Sequence, residues 1–220
     1  MSEMDTRIAD LEEKVNRLQL SLSSQLMEKD LDQLITHYGS DKHVNKYTPI
    51  YHALFKNMRD KPITMLEIGI GTLIPGVQCT MQGFSQPGYK PGGSLRAWRD
   101  YFPKGRFYGV DVQYDTQFTE DRIKTFISDS TNRAELDTNL GNLMFDIIID
   151  DGCHFDGYQI LTLQNLWHRV KPGGFYIVED LQVCSFPTMD AWTEKIQSIV
   201  GDDGLVFNTE RRNICVISRR

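Results

Sequence analysis

FDIIIDDGCH, residues 145–154, passes from an unbroken apolar strand into two acids and an imidazole. Ile147, Ile148 and Ile149 are β-branched in a row with no polar alternation. That is the pattern of a strand buried on both faces, as in a parallel sheet covered by helices. Asp150 and Asp151 stand where such a strand leaves the core. Ligands of open α/β sheets bind outside the carboxyl ends of the strands, so Asp150, Asp151 and His154 fall where chemistry is expected. The next apolar run, GGFYIVED at residues 173–180, ends the same way in Glu179 and Asp180. Neighbouring parallel strands would bring the two acidic ends together.

The chain around this stretch has 220 residues, enough for one α/β domain with a sizeable core and an appendage. Its hydrophobic fraction of 40% and charged fraction of 25% are ordinary for a globular protein and disfavour disorder. No apolar run approaches the roughly 20 residues that cross a bilayer, and the N-terminus carries charges in place of a signal-peptide core. The expected location is cytoplasmic. Cys79, Cys153, Cys184 and Cys215 are widely spread without a C-x-x-C pair, which fits reduced thiols better than a disulfide framework or a zinc site. A net charge of -6 argues against nucleic acid as a partner.

From Met1 to Gln25 apolar residues recur at alternating threes and fours, with Ile8, Val15 and Leu22 at one heptad position and Leu11 and Leu18 at the other. β-Branched residues at the first and Leu at the second favour a parallel two-stranded coil. The pattern predicts an N-terminal helix within residues 1–36 that assembles the chain into a homodimer or higher oligomer. The alternative is one amphipathic helix lying on its own domain. Residues 37–220 then form the main domain, with a cap segment at 37–60 and a lid-like loop at 72–93.

In the cap segment Gly39, Ser40 and Asp41 break a helix, and the helical pattern resumes from Tyr47 to Met58. His37, His43 and His52 lack a shared metal-ligand spacing and read as surface or packing groups, whereas Lys42 and Tyr47 are candidates for touching a ligand. The first strand, ITMLEIGIG, ends in Glu67, Gly69 and Gly71. Missing side chains there let a ligand approach the backbone, although glycines after strands also simply make turns. The long glycine- and proline-rich loop that follows ends in Ser94, read as the N-cap of the helix LRAWRDYF.

RFYGVDV is a second strand ending in Asp111, placed to accept from a ribose diol or, more commonly, to cap a turn. IKTFISDS is a third, ending in Asp129, and NRAELDTNL a helix. A helix from Asp156 to Val170 is expected to stop at Lys171, Pro172, Gly173 and Gly174 before the fifth strand. Trp192–Val200 makes another helix, and GLVFN and ICVIS close the chain as an antiparallel pair. This alternation predicts a doubly wound, mostly parallel sheet.

LEIGIG, GVD, SDS, DIIIDDG and KPGGFYIVED, in this order, resemble a class I S-adenosylmethionine-dependent methyltransferase over roughly residues 38–218. Within that superfamily GSDK with YTPIY, GGSLRAWRDYFP, IDDGCH and VEDL resemble the metal-dependent sugar O-methyltransferases that act on macrolide deoxysugars and related glycans. The resemblance implies a Rossmann-like, mostly parallel seven-stranded sheet with an antiparallel C-terminal hairpin. It also implies S-adenosylmethionine and Mg²⁺ as cofactors and a small-molecule or glycan hydroxyl as acceptor. Glu67, Gly69 and Gly71 match the loop lining the methionine portion of the cofactor, Asp111 the ribose acid, and Asp129 with Ser130 the adenine contact. Tyr47, Ser94 and Asp150 are counted on the cofactor side. Asp151, Glu179 and Asp180 match the Mg²⁺ ligands, and His154 the general base beside Asp151. Two residues depart from the family: Leu73 stands near the place of a third loop glycine, and Cys153 where Ser is usual.

The residues read alone agree, because three carboxylates on adjacent strand ends form a hard oxygen site suited to Mg²⁺. An aliphatic hydroxyl is a poor nucleophile that a cation would acidify and a neighbouring base would deprotonate. Rival readings are a methyltransferase of catechol-like phenols, a hydroxylase resembling the cephalosporin hydroxylases, and a coiled-coil scaffold retaining the fold as a relic.

Overall fold

The computed structural model describes residues 30–77, 81–83, 89–182, 185–209 and 214–220. The heptad pattern of Met1–Gln25, and with it the expected coil, lies outside them.

Helix α1 (Leu31–His37) starts from a capping box in which Asp30 accepts from the Gln33 amide at 2.8 Å and Gln33 accepts from the Asp30 amide at 3.3 Å. Leu31, Leu34 and Ile35 on its inner face are buried, so this helix already belongs to the globular body. A 3₁₀ turn (Asp41–His43) and helix α2 (Thr48–Phe55) complete the described cap. Then follow β1 (Thr64–Ile68), α3 (Gly93–Tyr101), β2 (Arg106–Asp111), β3 (Thr119–Glu120), β4 (Ile123–Ile127), α4 (Arg133–Leu140) and β5 (Phe145–Asp150). The chain closes with α5 (Asp156–Leu166), β6 (Val170–Val178), α6 (Met189–Val200), β7 (Gly204–Thr209) and β8 (Ile214–Arg219).

The strands form one sheet in the order β3-β4-β2-β1-β5-β6-β8-β7. The five strands β4, β2, β1, β5 and β6 run parallel, and β8 and β7 add as the antiparallel hairpin expected from the sequence. Eight strands appear in place of seven because Thr119–Glu120 pairs antiparallel along the edge of β4, too short to leave a pattern in the sequence.

Period-two alternation divides the strand residues between two cores. Met65, Ile147, Ile149 and Ile177 face α1, α2 and α3, where Tyr51, Phe55 and Trp98 pack. Leu66, Ile148, Tyr176 and Val178 face α4, α5 and α6, where Leu136, Leu163 and Trp192 pack. Each such large side chain contributes roughly 1.5–3 kcal/mol by leaving water.

Two boundaries differ from the sequence reading. The helix expected to reach Val170 ends at Leu166, a 3₁₀ turn covers Trp167–Arg169, and Val170 already pairs with Phe145. Lys171–Gly174 is therefore an irregularity inside β6, after which Phe175 pairs with Ile147. Gly174 is required there, since a Cβ would lie 2.6 Å from the Asp146 carbonyl oxygen.

Gly69 sets how closely the site elements approach. Its φ is +74°, and a Cβ would stand 2.2 Å from the backbone oxygen of Asp151. Left-handed backbone alone costs an alanine roughly 1–2 kcal/mol, and the clash is with backbone that cannot rotate away. Gly69→Ala is expected to lower the melting temperature by about 4–8 °C, measured by differential scanning fluorimetry; an unchanged value would show that the two loops move apart freely.

Candidate active site

Strand parity assembles the site. Glu67 pairs with Ile149, and Ile68 with Asp150, so Glu67 and Asp151 belong to the face covered by α1–α3 while Asp150 belongs to the other. Asp150 pairs with Val178, which puts Glu179 beside Asp151 on the first face. Three carboxylates thus converge beneath the cap segment. Lys42, 1% exposed, meets them with its ammonium 2.7 Å from Asp151 Oδ2, 2.7 Å from Glu179 Oε2 and 3.2 Å from Glu67 Oε1. Burial alone would lower the pKa of Lys42, but the charges of Asp151, Glu179 and Glu67 hold it well above the ordinary value. The lysine stays charged. Glu179 is pushed up to about 7 by burial, with Lys42 and Tyr51 opposing that rise. The carboxyl of Asp151 is likewise raised, by burial first and then by Glu179.

The cap supplies two tyrosines as well. Tyr51 Oη donates to Glu179 Oε1, so both Glu179 oxygens are held from inside the protein. Tyr47 Oη donates to Asp180 Oδ1 at 2.5 Å, a contact made with the chain's own acid. Asp180 has φ +49°, a left-handed backbone that Asp tolerates better than most residues and that turns its carboxylate out of the strand line. His154 Nε2 lies 3.8 Å from Asp180 Oδ2. Burial lowers the pKa of His154 below the ordinary value and Asp180 opposes this, so near neutral pH the imidazole is free to accept a proton. Its Nδ1 is buried with no hydrogen-bond partner among the described residues.

Asp151, His154 and Asp180 each offer a ligand atom within 4.8 Å of one another. Two hard carboxylates at the mouth suit Mg²⁺, which keeps several positions for water or substrate. Glu179, the remaining acid in the expected ligand set, lies behind this trio and is engaged by Lys42 and Tyr51.

Asp150 is 1% exposed on the opposite face, accepting from Tyr176 Oη at 3.0 Å and the Gly152 amide at 3.4 Å. Strand alternation therefore puts it under the loop and not at the ligand surface expected from the sequence. Burial pushes its pKa up to about 7. An acid raised in the folded state contributes stability that is present below its unfolded value and lost as pH rises through the folded one. Asp150→Asn should therefore become increasingly more stable than the parent as pH rises from about 4 through 7, by on the order of 2–4 kcal/mol above that range. Urea titrations across that range check this; a constant difference would mean Asp150 titrates normally.

At the other end of the sheet edge Asp111 Oδ2 accepts from the Ile70 amide at 3.0 Å and Oδ1 from the Gln113 amide at 2.9 Å. It pins the glycine loop to β2, and burial raises its pKa. Asp115 holds the next turn, accepting from Thr72 Oγ1 at 2.6 Å and from the Leu73 amide at 2.8 Å. A Cβ at Gly71 would stand 2.1 Å from the Tyr89 hydroxyl, so a side chain there would displace that ring. Ser94 is not the N-cap, a place taken by Gly92 at φ +83°. It donates instead to Glu67 Oε2 at 2.8 Å and is buried. Asp129 caps its own turn through the Thr131 amide at 2.8 Å, and Ser130 Oγ lies 2.9 Å from Thr162 Oγ1. Both stand at the exit of β4, along the same carboxyl edge as Asp111.

No family model matches the chain. A curated relative of Streptomyces olivaceus, 8-demethyl-8-alpha-L-rhamnosyl tetracenomycin-C 2'-O-methyltransferase, is 35% identical over 172 residues, which are 76% of this chain and 42% of the relative. Demethylmacrocin O-methyltransferase of Streptomyces fradiae is 32% identical over 182 residues, 80% of this chain and 42% of that protein. Among solved structures, the MycE methyltransferase from the mycinamycin biosynthetic pathway, in complex with Mg, SAH and mycinamycin VI, is similar with a TM-score of 0.68 at 27% identity. That likeness covers 87% of this chain and 54% of the other. The chain spans about two fifths of the length of the curated relatives it matches. No helix among the described residues is long and apolar enough to cross a membrane. In sheet order, strand-end acids and sequence likeness together, the chain has the class I S-adenosylmethionine-dependent methyltransferase fold and is similar to the sugar O-methyltransferases of macrolide and tetracenomycin pathways.

Proposed function

We propose that the chain transfers a methyl group from S-adenosylmethionine to a hydroxyl of a sugar or glycoside with the help of Mg²⁺. The observation that carries this reading is the convergence of Asp151, His154 and Asp180 at the exits of β5 and β6, beside a glycine loop, in a chain 35% identical to a rhamnosyl O-methyltransferase. When bound, S-adenosylmethionine supplies the electrophilic methyl group and Mg²⁺ the Lewis acidity that makes an alcohol a competent nucleophile.

The chain's own residues do the rest. Asp151 and Asp180 present hard oxygens at the mouth, and Glu179 completes the acidic set from behind. His154, kept neutral by burial, takes the hydroxyl proton at Nε2. Asp180 stabilises the imidazolium that results. Tyr47 fixes the Asp180 carboxylate by its hydrogen bond, which orients the acid for both tasks. Glu67, Gly69 and Gly71 line the methionine end of the cofactor, Asp111 the ribose, and Asp129 with Ser130 the adenine.

Transfer of labelled methyl from S-adenosylmethionine to a panel of rhamnosides and deoxysugar glycosides tests the reading. Label in a sugar ether supports it; label in none of them, with the cofactor bound, removes the sugar acceptor.

A further inference from the structure

The start of α5 clamps the segment that leaves β6 at three points. Phe155 forms a parallel bridge with Gln182. Asp156 accepts from the amide and the hydroxyl of Ser185 at 2.6 and 2.7 Å. Gln159 Nε2 donates to the Glu179 carbonyl oxygen at 3.0 Å. This last contact bears on the site. Gln159 is 2% exposed, and its Oε1 is buried with no hydrogen-bond partner among the described residues. A buried amide only half satisfied is destabilising, and an apolar side chain would pack α5 against the sheet without that cost. What the amide supplies is a hold on one peptide group, the one that joins Glu179 to Asp180.

Glu179 is fixed on its other side too, its amide donating to the Asp150 carbonyl oxygen at 2.9 Å. Asp180 follows at φ +49°. A left-handed residue other than glycine persists only where its surroundings over-determine it. Here the Glu179 carbonyl is bound to Gln159, and the Asp180 carboxylate to the Tyr47 hydroxyl. We propose that Gln159 is a positioning residue for the cation site: by holding the Glu179–Asp180 peptide it keeps both acids of the β6 exit aimed toward Asp151 and His154 of the β5 exit. This rests on the metal-assisted reading above and adds to it a residue behind the acids. Without the amide donor the Glu179 carbonyl is buried and unpaired, and rotation of that peptide relieves it while turning the Asp180 carboxylate away.

The test titrates Mn²⁺ into the full chain and into Gln159→Met, reading free Mn²⁺ by electron paramagnetic resonance, S-adenosylhomocysteine affinity by calorimetry and the melting temperature by fluorimetry. Methionine keeps the length of the side chain and removes the donor. Gln159→Met is expected to bind Mn²⁺ about 10–100-fold more weakly than wild type, with S-adenosylhomocysteine affinity at the wild-type level. Ile160→Val, a packing change at the next position of α5, is the reference and should lower the melting temperature without moving Mn²⁺ affinity. Wild-type Mn²⁺ affinity in Gln159→Met overturns the proposal, as does a loss that Ile160→Val reproduces or that S-adenosylhomocysteine shares equally. If Gln159→Met does not fold, Gln159→Leu enters the same titration with the same outcomes. Wild type that binds neither Mn²⁺ nor S-adenosylhomocysteine defeats the methyltransferase reading, whereas wild type that binds both, with unchanged Mn²⁺ affinity in the variant, defeats only the role of Gln159.

Discussion

His154→Ala is expected to slow methyl transfer by about 10² to 10⁴, the range typical for loss of a positioned general base. Binding of S-adenosylhomocysteine should stay near the wild-type level. The imidazole sits on the loop after β5 with Nε2 3.8 Å from Asp180, so its removal leaves the glycine loop and Asp111 untouched. The pH profile carries a second signature. Burial holds the His154 pKa below the ordinary value, so the acid limb of the activity profile should lie below the ~6.5 of a free histidine and disappear in the variant. Near-normal turnover would remove His154 as the base. A loss fully restored by excess Mg²⁺ would make it a metal-site group instead.

Asp151→Asn should have the larger effect on metal binding, because this carboxylate serves both the Lys42 cluster and the outer trio. Partners one shell away from a metal typically change its affinity 10–100-fold, so loss of a direct ligand should weaken Mg²⁺ by at least about 100-fold and abolish turnover with it. The variant also leaves Lys42 with Glu67 and Glu179 alone, and keeps the shape of the side chain. Isothermal titration with Mn²⁺ and a thermal melt distinguish the two consequences: metal loss in a folded protein is expected, and metal binding at the wild-type level would exclude Asp151 as a ligand.

Much of this architecture is legible in the sequence. Runs of β-branched residues such as Ile147–Ile149 mark buried parallel strands whatever surrounds them, and an acid closing such a run can only emerge at the carboxyl edge. Strand parity separates two acids that adjacency in sequence puts together: Asp150 and Asp151 are neighbours, yet alternation sends one into the α4–α6 core against Tyr176 and the other beneath the cap. Ser94 misled because a serine before a helix usually caps it, whereas here Gly92 takes that place and frees the hydroxyl for Glu67. Lys42 stood out only as a candidate ligand contact. Two of its three partners, Asp151 and Glu179, lie 109 and 137 positions along the chain, a distance that local patterns do not span.

Thr119–Glu120 and the irregularity at Lys171–Gly174 escaped for a different reason. The first is too short for periodicity, and the second carries turn residues inside a strand that pairs on either side of them. The hydrogen bonds from Tyr47 and Tyr51 to Asp180 and Glu179 were equally unreadable, since they depend on how the cap segment folds back over the sheet edge.

Metal-assisted methylation of a sugar hydroxyl is the reading that the convergence of Asp151, His154 and Asp180 carries. Its most direct test is methyl transfer from labelled S-adenosylmethionine to a rhamnosyl acceptor, followed in one sample through addition of EDTA and then of excess Mg²⁺. Transfer should cease in chelator and return with Mg²⁺, with the label recovered in a sugar methyl ether. Full transfer in EDTA, or label that never reaches a sugar oxygen, would rule out metal-assisted sugar methylation.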